Sequence, residues 1–193
     1  MKNQEQNHYG INNIIKDIKN NNFKDALKKT KLISENFPDK YTILKLFSSI
    51  YLNLKEYENA INYYEKLLNY KKENYKVYNN IGTSLFQLGK INRCIIAFKN
   101  SIANKPNLGA YFNLGIAYEE IGDYKNSVTN YVEVIKLDPS NYKAKKSLIN
   151  ILTYYQDENI NKNELLKISF QIKKIYNNYK IDDLYNIKNI KSI

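Results

Sequence analysis

Residues 108–139 read LGAYFNLGIAYEEIGDYKNSVTNYVEVIKLDP, and the fold class follows from their pattern. Large apolar residues recur at steps of three and four, which is the period of one face of an α-helix. The pattern is interrupted once, at Gly122 and Asp123, and stops at Pro139, because proline cannot continue a helix. The stretch therefore predicts two helices around a turn. The first predicted face holds Tyr111, Leu114, Tyr118 and Ile121, and the second holds Ser127, Tyr131, Val134 and Ile135.

Gly115 lies inside the first apolar face. Glycine in a helix interior costs about 1 kcal/mol relative to alanine. We therefore expect another helix to pack closely against this position.

The pattern recurs along the chain about every 34 residues, a period typical of repeat architectures. Gly82 and Gly115 are as far apart in sequence as Pro106 and Pro139, so both pairs occupy equivalent places in consecutive copies. A further copy of the apolar positions lies within residues 44–68. Because one helix pair cannot bury both of its apolar faces alone, repeated pairs must stack on one another.

The motifs NLGIAYEEIGDY and KLDP resemble the tetratricopeptide repeat (TPR), in which aromatic, Leu-Gly, Tyr, Ala, Phe and Pro positions recur about every 34 residues. The resemblance covers about residues 9–156. It implies an all-α fold, a right-handed superhelix of antiparallel helix pairs (a TPR solenoid) whose concave inner face binds partners. The repeats are predicted at about 9–40, 41–74, 75–107 and 108–141, with a divergent repeat from residue 142.

Both ends of the chain depart from this pattern. Residues 1–8 are polar and are predicted to form a disordered tail. Residues 157–180 are predicted to form a loop and a capping helix that covers the last repeat, and residues 181–193 a tail.

The C-terminal stretch carries a second resemblance. Residues 147–179 read SLINILTYYQDENINKNELLKISFQIKKIYNNY, which is similar to the segment joining the repeats to the catalytic lobes in O-linked N-acetylglucosamine transferase-like proteins. An alternative is therefore that the chain is the repeat region of a truncated or split glycosyltransferase. Because no sugar-nucleotide lobe follows Ile193, we expect no transferase site in these 193 residues.

Residues suited to catalysis are scarce. His8, the only histidine, lies in the polar N-terminal segment without a second metal-binding side chain nearby, and Cys94 is the only cysteine. Cys94 matches the small-residue position of Ala60 and Ser127, which indicates packing and not reactivity. No glycine-rich phosphate loop is present. The sequence thus predicts a protein that is not an enzyme, with no cofactor and no metal.

A cytoplasmic location is predicted. A single cysteine excludes an intramolecular disulfide, which fits a reducing compartment. No signal-like apolar segment opens the chain, and no apolar run is long enough to span a membrane.

The chain is strongly basic, with 30 Lys and Arg against 19 Asp and Glu and a formal charge of +11. Nucleic acid, anionic lipid or an acidic protein could match this charge. Arg93 is the only arginine, whereas phosphate and base recognition favour the planar arginine fork. A basic nucleic-acid-binding array is therefore a weaker alternative than binding to a protein or an extended, acidic peptide.

Two asparagines suggest how a peptide would bind. Asn80 and Asn113 occupy equivalent repeat positions and are predicted to stack along the inner groove, where their amides could hold a peptide backbone. Coincidence in an asparagine-rich chain is the alternative explanation. The remaining groove candidates are Lys45, Lys76, Thr83, Ile116 and Lys143.

The Lys and Asn carboxylate clamp of chaperone-binding TPR proteins is not predicted. Lys45 and Asn80 occupy clamp positions, but Ser49, Gly109 and Asn113 occupy the others. The sequence as a whole predicts a non-enzymatic scaffold or adaptor that binds a protein or peptide.

Overall fold

The computed structural model describes residues 2–35, 37 and 39–157, with side chains from residue 10 to residue 151 of those ranges. All regular secondary structure in these ranges is α-helical. The helices are α1 (Lys2–Lys19), α2 (Phe23–Ser34), α3 (Lys40–Asn53), α4 (Tyr57–Leu68), α5 (Asn74–Gln87), α6 (Ile91–Asn104), α7 (Leu108–Glu120), α8 (Tyr124–Leu137) and α9 (Tyr142–Asp157).

The chain divides into two compact units, residues 1–113 and residues 114–193. In the first unit, α1 packs on α2, α2 on α3, α3 on α4, α4 on α5 and α5 on α6. In the second unit, α8 packs on α9. Helices that are consecutive in sequence are thus neighbours in space, which is the packing of a helical repeat.

Short polar side chains begin several helices. The Asp39 carboxylate accepts a hydrogen bond from the Thr42 backbone N–H at 3.3 Å, and Asp123 accepts one from Asn126 at 3.1 Å. Asn107 accepts from the Ala110 N–H at 2.9 Å and Asn141 from the Ala144 N–H at 3.1 Å. These caps satisfy backbone donors that the first helical turn leaves unpaired.

A small residue on a first helix faces an aromatic ring on the following helix in three successive repeats. A β-carbon placed on Gly82 would lie 2.5 Å from Phe98, and one placed on Gly115 would lie 2.7 Å from Tyr131. At the matching position in the preceding repeat, the Ser48 hydroxyl contacts the Tyr64 hydroxyl. The sequence interval from the small residue to the ring is the same in all three pairs. The close approach expected at Gly115 is confirmed, and the group that approaches is a side-chain ring.

The structure differs from the sequence-based expectations at two places. Residues 1–8 are predicted to form a disordered tail, but α1 begins at Lys2. Extending a helix adds one hydrogen bond for each residue ordered, and Lys, Gln and Glu are good helix formers. Ile121 was predicted to lie on a buried face, but it is 49% exposed, because α7 ends at Glu120 and Ile121 begins the turn. The predicted capping helix and C-terminal tail lie outside the described residues.

Candidate binding surface

An asparagine pair joins two first helices of the unit formed by residues 1–113. Asn113 Nδ2, on α7, donates a hydrogen bond to Asn79 Oδ1, on α5, at 3.2 Å. Both side chains are half-buried. The bond uses only part of each amide, because an asparagine has one acceptor oxygen and two N–H donors. An amide row therefore exists on this face, but it is formed by Asn79 and Asn113, whereas Asn80 was predicted to pair with Asn113.

Asn80 contacts a buried tyrosine. Its side chain hydrogen-bonds with the hydroxyl of Tyr64 from α4, which also contacts Ser48 on α3. Burial raises the pKa of Tyr64 to about 12. A buried hydroxyl needs a hydrogen-bond partner, so Asn80 and Ser48 stabilise the interface between α3, α4 and α5.

Thr83, another predicted groove residue, lies one turn after Asn79. Its hydroxyl donates to the Asn79 carbonyl oxygen at 3.0 Å, and its side chain is half-buried. This bond pairs the hydroxyl with the backbone of its own helix.

Lys45 and Lys76 belong to two similar clusters, each built on a tyrosine in the first turn of a first helix. In the first Lys–Tyr cluster, Lys45 Nζ lies 5.4 Å from the centroid of the Tyr41 ring and Lys72 Nζ lies 5.2 Å from it.

The second Lys–Tyr cluster repeats this arrangement on α5. Lys76 Nζ lies 5.7 Å from the centroid of the Tyr75 ring, and Lys105 Nζ lies 5.1 Å from it. Tyr75 and Lys105 each lie one repeat after Tyr41 and Lys72, whereas Lys45 and Lys76 occupy different positions relative to their tyrosines. An ammonium group within about 6 Å of an aromatic ring centroid is attracted to the ring face.

The remaining two groove candidates belong to residues 114–193. Ile116 is half-buried on α7, and Lys143 is exposed on α9. This unit also contains a polar group inside its core: the Tyr131 hydroxyl contacts the side chains of Glu119, Ser127 and Ser147. Burial raises the pKa of the Glu119 carboxyl, and the nearby Tyr131 hydroxyl opposes that shift.

No group of side chains that could hold a metal ion occurs within the described ranges. Cys94 is fully buried in α6, and burial raises the pKa of its thiol to about 11, as expected for a packing residue. Among the helices that the structure describes, none is long and apolar enough to cross a membrane.

Comparison with known proteins identifies the repeat class. The family described as "Anaphase-promoting complex, cyclosome, subunit 3" matches residues 53–134. The first TPR of Spaghetti (RPAP3), solved bound to the HSP90 peptide SRMEEVD, aligns with a TM-score of 0.57 and 22% identity over 62% of this chain and 96% of that one. The described helices therefore have the fold of a tetratricopeptide-repeat (TPR) array. In the RPAP3 complex, a domain of this fold binds a peptide of another protein.

Two further relatives extend the comparison. A crystal structure of MamA aligns with a TM-score of 0.71 and 18% identity over 95% of this TPR chain and 99% of MamA, so the all-α helical-repeat fold is confirmed. The human intraflagellar transport protein 88 homolog is 34% identical over 87 residues. The TPR chain spans 11% of the length of that human protein.

The groove residues predicted from the sequence do not include Asn79, Lys72 or Lys105. Asn80 and Asn113 are separated by the same number of residues as Gly82 and Gly115. Asn79 and Asn113 are one residue further apart, which is the separation of Tyr41 and Tyr75. If the repeat length is allowed to take either value, the sequence predicts both Asn79 and Asn80 as possible partners of Asn113. Lys72 lies in the connection between α4 and α5, and Lys105 directly follows α6, so both are outside the helical pattern.

Proposed function

We propose that this TPR protein is a non-enzymatic scaffold that binds an extended segment of a partner protein along the first helices of residues 1–113. The observation that carries the proposal is the hydrogen bond between Asn79 and Asn113, which aligns two amides from consecutive first helices on one face. Aligned amides can donate to and accept from a peptide backbone without requiring a particular side chain.

The surroundings of the amide pair support backbone recognition. A β-carbon on Gly109 would lie 3.9 Å from Asn79 Nδ2, so the missing side chain at Gly109 leaves the pair more accessible. Thr83 lies on the other side of Asn79 along α5. The solved complex of an RPAP3 repeat domain with a heptapeptide supports binding of an extended segment by this fold.

The test requires a captured partner and two asparagine substitutions. Cross-linking and pull-down from the source cell would identify the partner, and calorimetry would measure its affinity for each variant. One hydrogen bond contributes about 0.5 to 1.5 kcal/mol. The double variant Asn79→Ala/Asn113→Ala should therefore bind about tenfold more weakly, since about 1.4 kcal/mol corresponds to tenfold in affinity.

Asn80→Ala is the matched control, because it removes the same amide one residue away. Its side chain partners the Tyr64 hydroxyl, so its loss should lower the melting temperature and change affinity little. The opposite result, with Asn80→Ala weakening binding and the double variant binding normally, would refute the role of the amide pair.

A further inference from the structure

The two Lys–Tyr clusters concentrate positive charge at the first turns of α3 and α5. Together they hold four lysines, Lys45, Lys72, Lys76 and Lys105, placed around Tyr41 and Tyr75. Two acidic groups interact with these lysines: Asp39, whose carboxylate caps α3, and Glu73. The local balance is four cations against two anions, and one of the anions already serves as a helix cap.

Each tyrosine ring restricts its lysines before any ligand binds. A free lysine side chain samples many rotamers, and ordering it on a ligand costs conformational entropy. An ammonium group held over a ring has already lost part of that freedom, so an incoming anion meets a partly organised site. The rings leave the ammonium groups able to contact an anion, because a cation–π contact uses one face of the group.

Glu73 connects the two clusters. It directly follows Lys72 of the first cluster and forms an ion pair with Lys76 of the second. The hydrogen bond from Lys76 lowers the pKa of Glu73, and the charges of Lys45 and Lys105 act in the same direction. One carboxylate is therefore within electrostatic reach of lysines from both clusters.

The backbone at Glu73 is left-handed, with a φ of +49°, and Lys71, two residues earlier in the same connection, is left-handed as well. The carboxylate is held at the start of α5, next to the lysines.

We propose that the two Lys–Tyr clusters form one binding site for an acidic peptide segment of a partner, and that Glu73 occupies this site in the free protein as an internal competitor. An acidic polypeptide fits better than nucleic acid, because all four cations are lysines and the only arginine, Arg93, lies elsewhere on α6. The site lies at the first turns of the helices and is separate in its residues from the Asn79–Asn113 pair.

Fluorescence anisotropy with labelled octaglutamate tests the site directly, with octaglutamine as the uncharged probe. Lys72→Gln/Lys105→Gln removes one lysine from each cluster and should weaken octaglutamate binding about tenfold at low salt. Lys28→Gln/Lys66→Gln is the matched control. It removes the same charge from exposed lysines of α2 and α4, and Lys66 also lies over a tyrosine ring, that of Tyr63, at 4.9 Å. Equal weakening by the two double variants would overturn the site.

The competitor role makes a prediction of opposite sign. Glu73→Gln should tighten octaglutamate binding about threefold, because it frees Lys76 without removing a cation. Glu65→Gln removes the same charge from an exposed position on α4 and should have a smaller effect. Equal effects of Glu73→Gln and Glu65→Gln would overturn internal competition.

Two further measurements distinguish the Lys–Tyr site from the amide pair and from a nucleic-acid site. Asn79→Ala/Asn113→Ala should leave octaglutamate binding unchanged, so failure of the amide surface and failure of the Lys–Tyr site are distinguishable. A single-stranded oligonucleotide of matched charge should bind more weakly than octaglutamate. Tighter oligonucleotide binding that depends on Lys72 and Lys105 would replace the acidic peptide with nucleic acid and overturn the proposal.

Discussion

Gly82→Ala should destabilise this protein, although glycine to alanine usually stabilises a helix. Gly82 lies in the middle of α5 and is buried. An added β-carbon would lie 2.5 Å from Cε1 and 2.6 Å from Cδ1 of Phe98, where ordinary contacts are 3.4–4 Å. The Phe98 ring is only 1% exposed, so surrounding side chains prevent it from moving away.

The size of the effect follows from two opposing contributions. Overpacking a core costs about 1 to 3 kcal/mol. Because the β-carbon would overlap three ring atoms, we take the upper half of that range. The better helix propensity of alanine offsets about 1 kcal/mol. The net loss of about 1 to 2 kcal/mol should lower the melting temperature by about 2 to 8 °C for a chain of this length.

Urea and thermal unfolding followed by circular dichroism would measure this loss. Gly109→Ala in α7 is the control, because its nearest contact would be 3.6 Å from Asn107 Oδ1, an ordinary distance. It should raise the unfolding free energy by up to about 1 kcal/mol. Shrinking the ring with Phe98→Leu should reduce the cost of Gly82→Ala in the double variant. If Gly82→Ala and Gly109→Ala stabilised the protein equally, the proposed packing of a ring against Gly82 would be refuted.

Two titratable side chains give further predictions. Burial raises the pKa of Cys94 from 9.0 to about 11, so at pH 8 the thiolate fraction should be about 100-fold smaller than for an unshifted thiol. The rate of reaction with an aromatic disulfide reagent would measure this difference. A rate in the native protein equal to the rate in urea would contradict the prediction. Burial also raises the pKa of Glu119 above 4.5, so its contribution to stability is present below that pH and is lost as pH rises through the folded-state value. Urea unfolding as a function of pH should show this decline, and Glu119→Gln should remove it; superimposable pH profiles would rule out the effect.

The helix pairs could be predicted from sequence because their signals are local. Apolar residues at helical spacing, a glycine opposite a ring and a turn with Gly-Asp or Gly-Lys recur in consecutive repeats. Gly89 and Gly122 have φ values of +69° and +73°, which explains why glycine occupies both turns. Each copy of the pattern supports the others, so the fold class did not depend on any single residue.

The candidate surface was predicted less well, because it depends on pairings between repeats. Asn80 and Asn79 are adjacent on α5 and therefore point about 100° apart around the helix. One contacts Tyr64 and the other contacts Asn113. Composition and spacing do not distinguish such neighbours when successive repeats differ by one residue in length.

The sequence by itself determined the repeat, the helix pairs and the small and aromatic positions that pack between them, since burial imposes the same periodic requirement on every copy. Only the tertiary structure decided which amide pairs across repeats and which lysines from the connecting segments meet Tyr41 and Tyr75. Those contacts depend on the rotation of each helix and the path of each connection, which the periodic pattern leaves unspecified. The residues with the clearest binding chemistry are therefore the ones that the periodic pattern alone did not place.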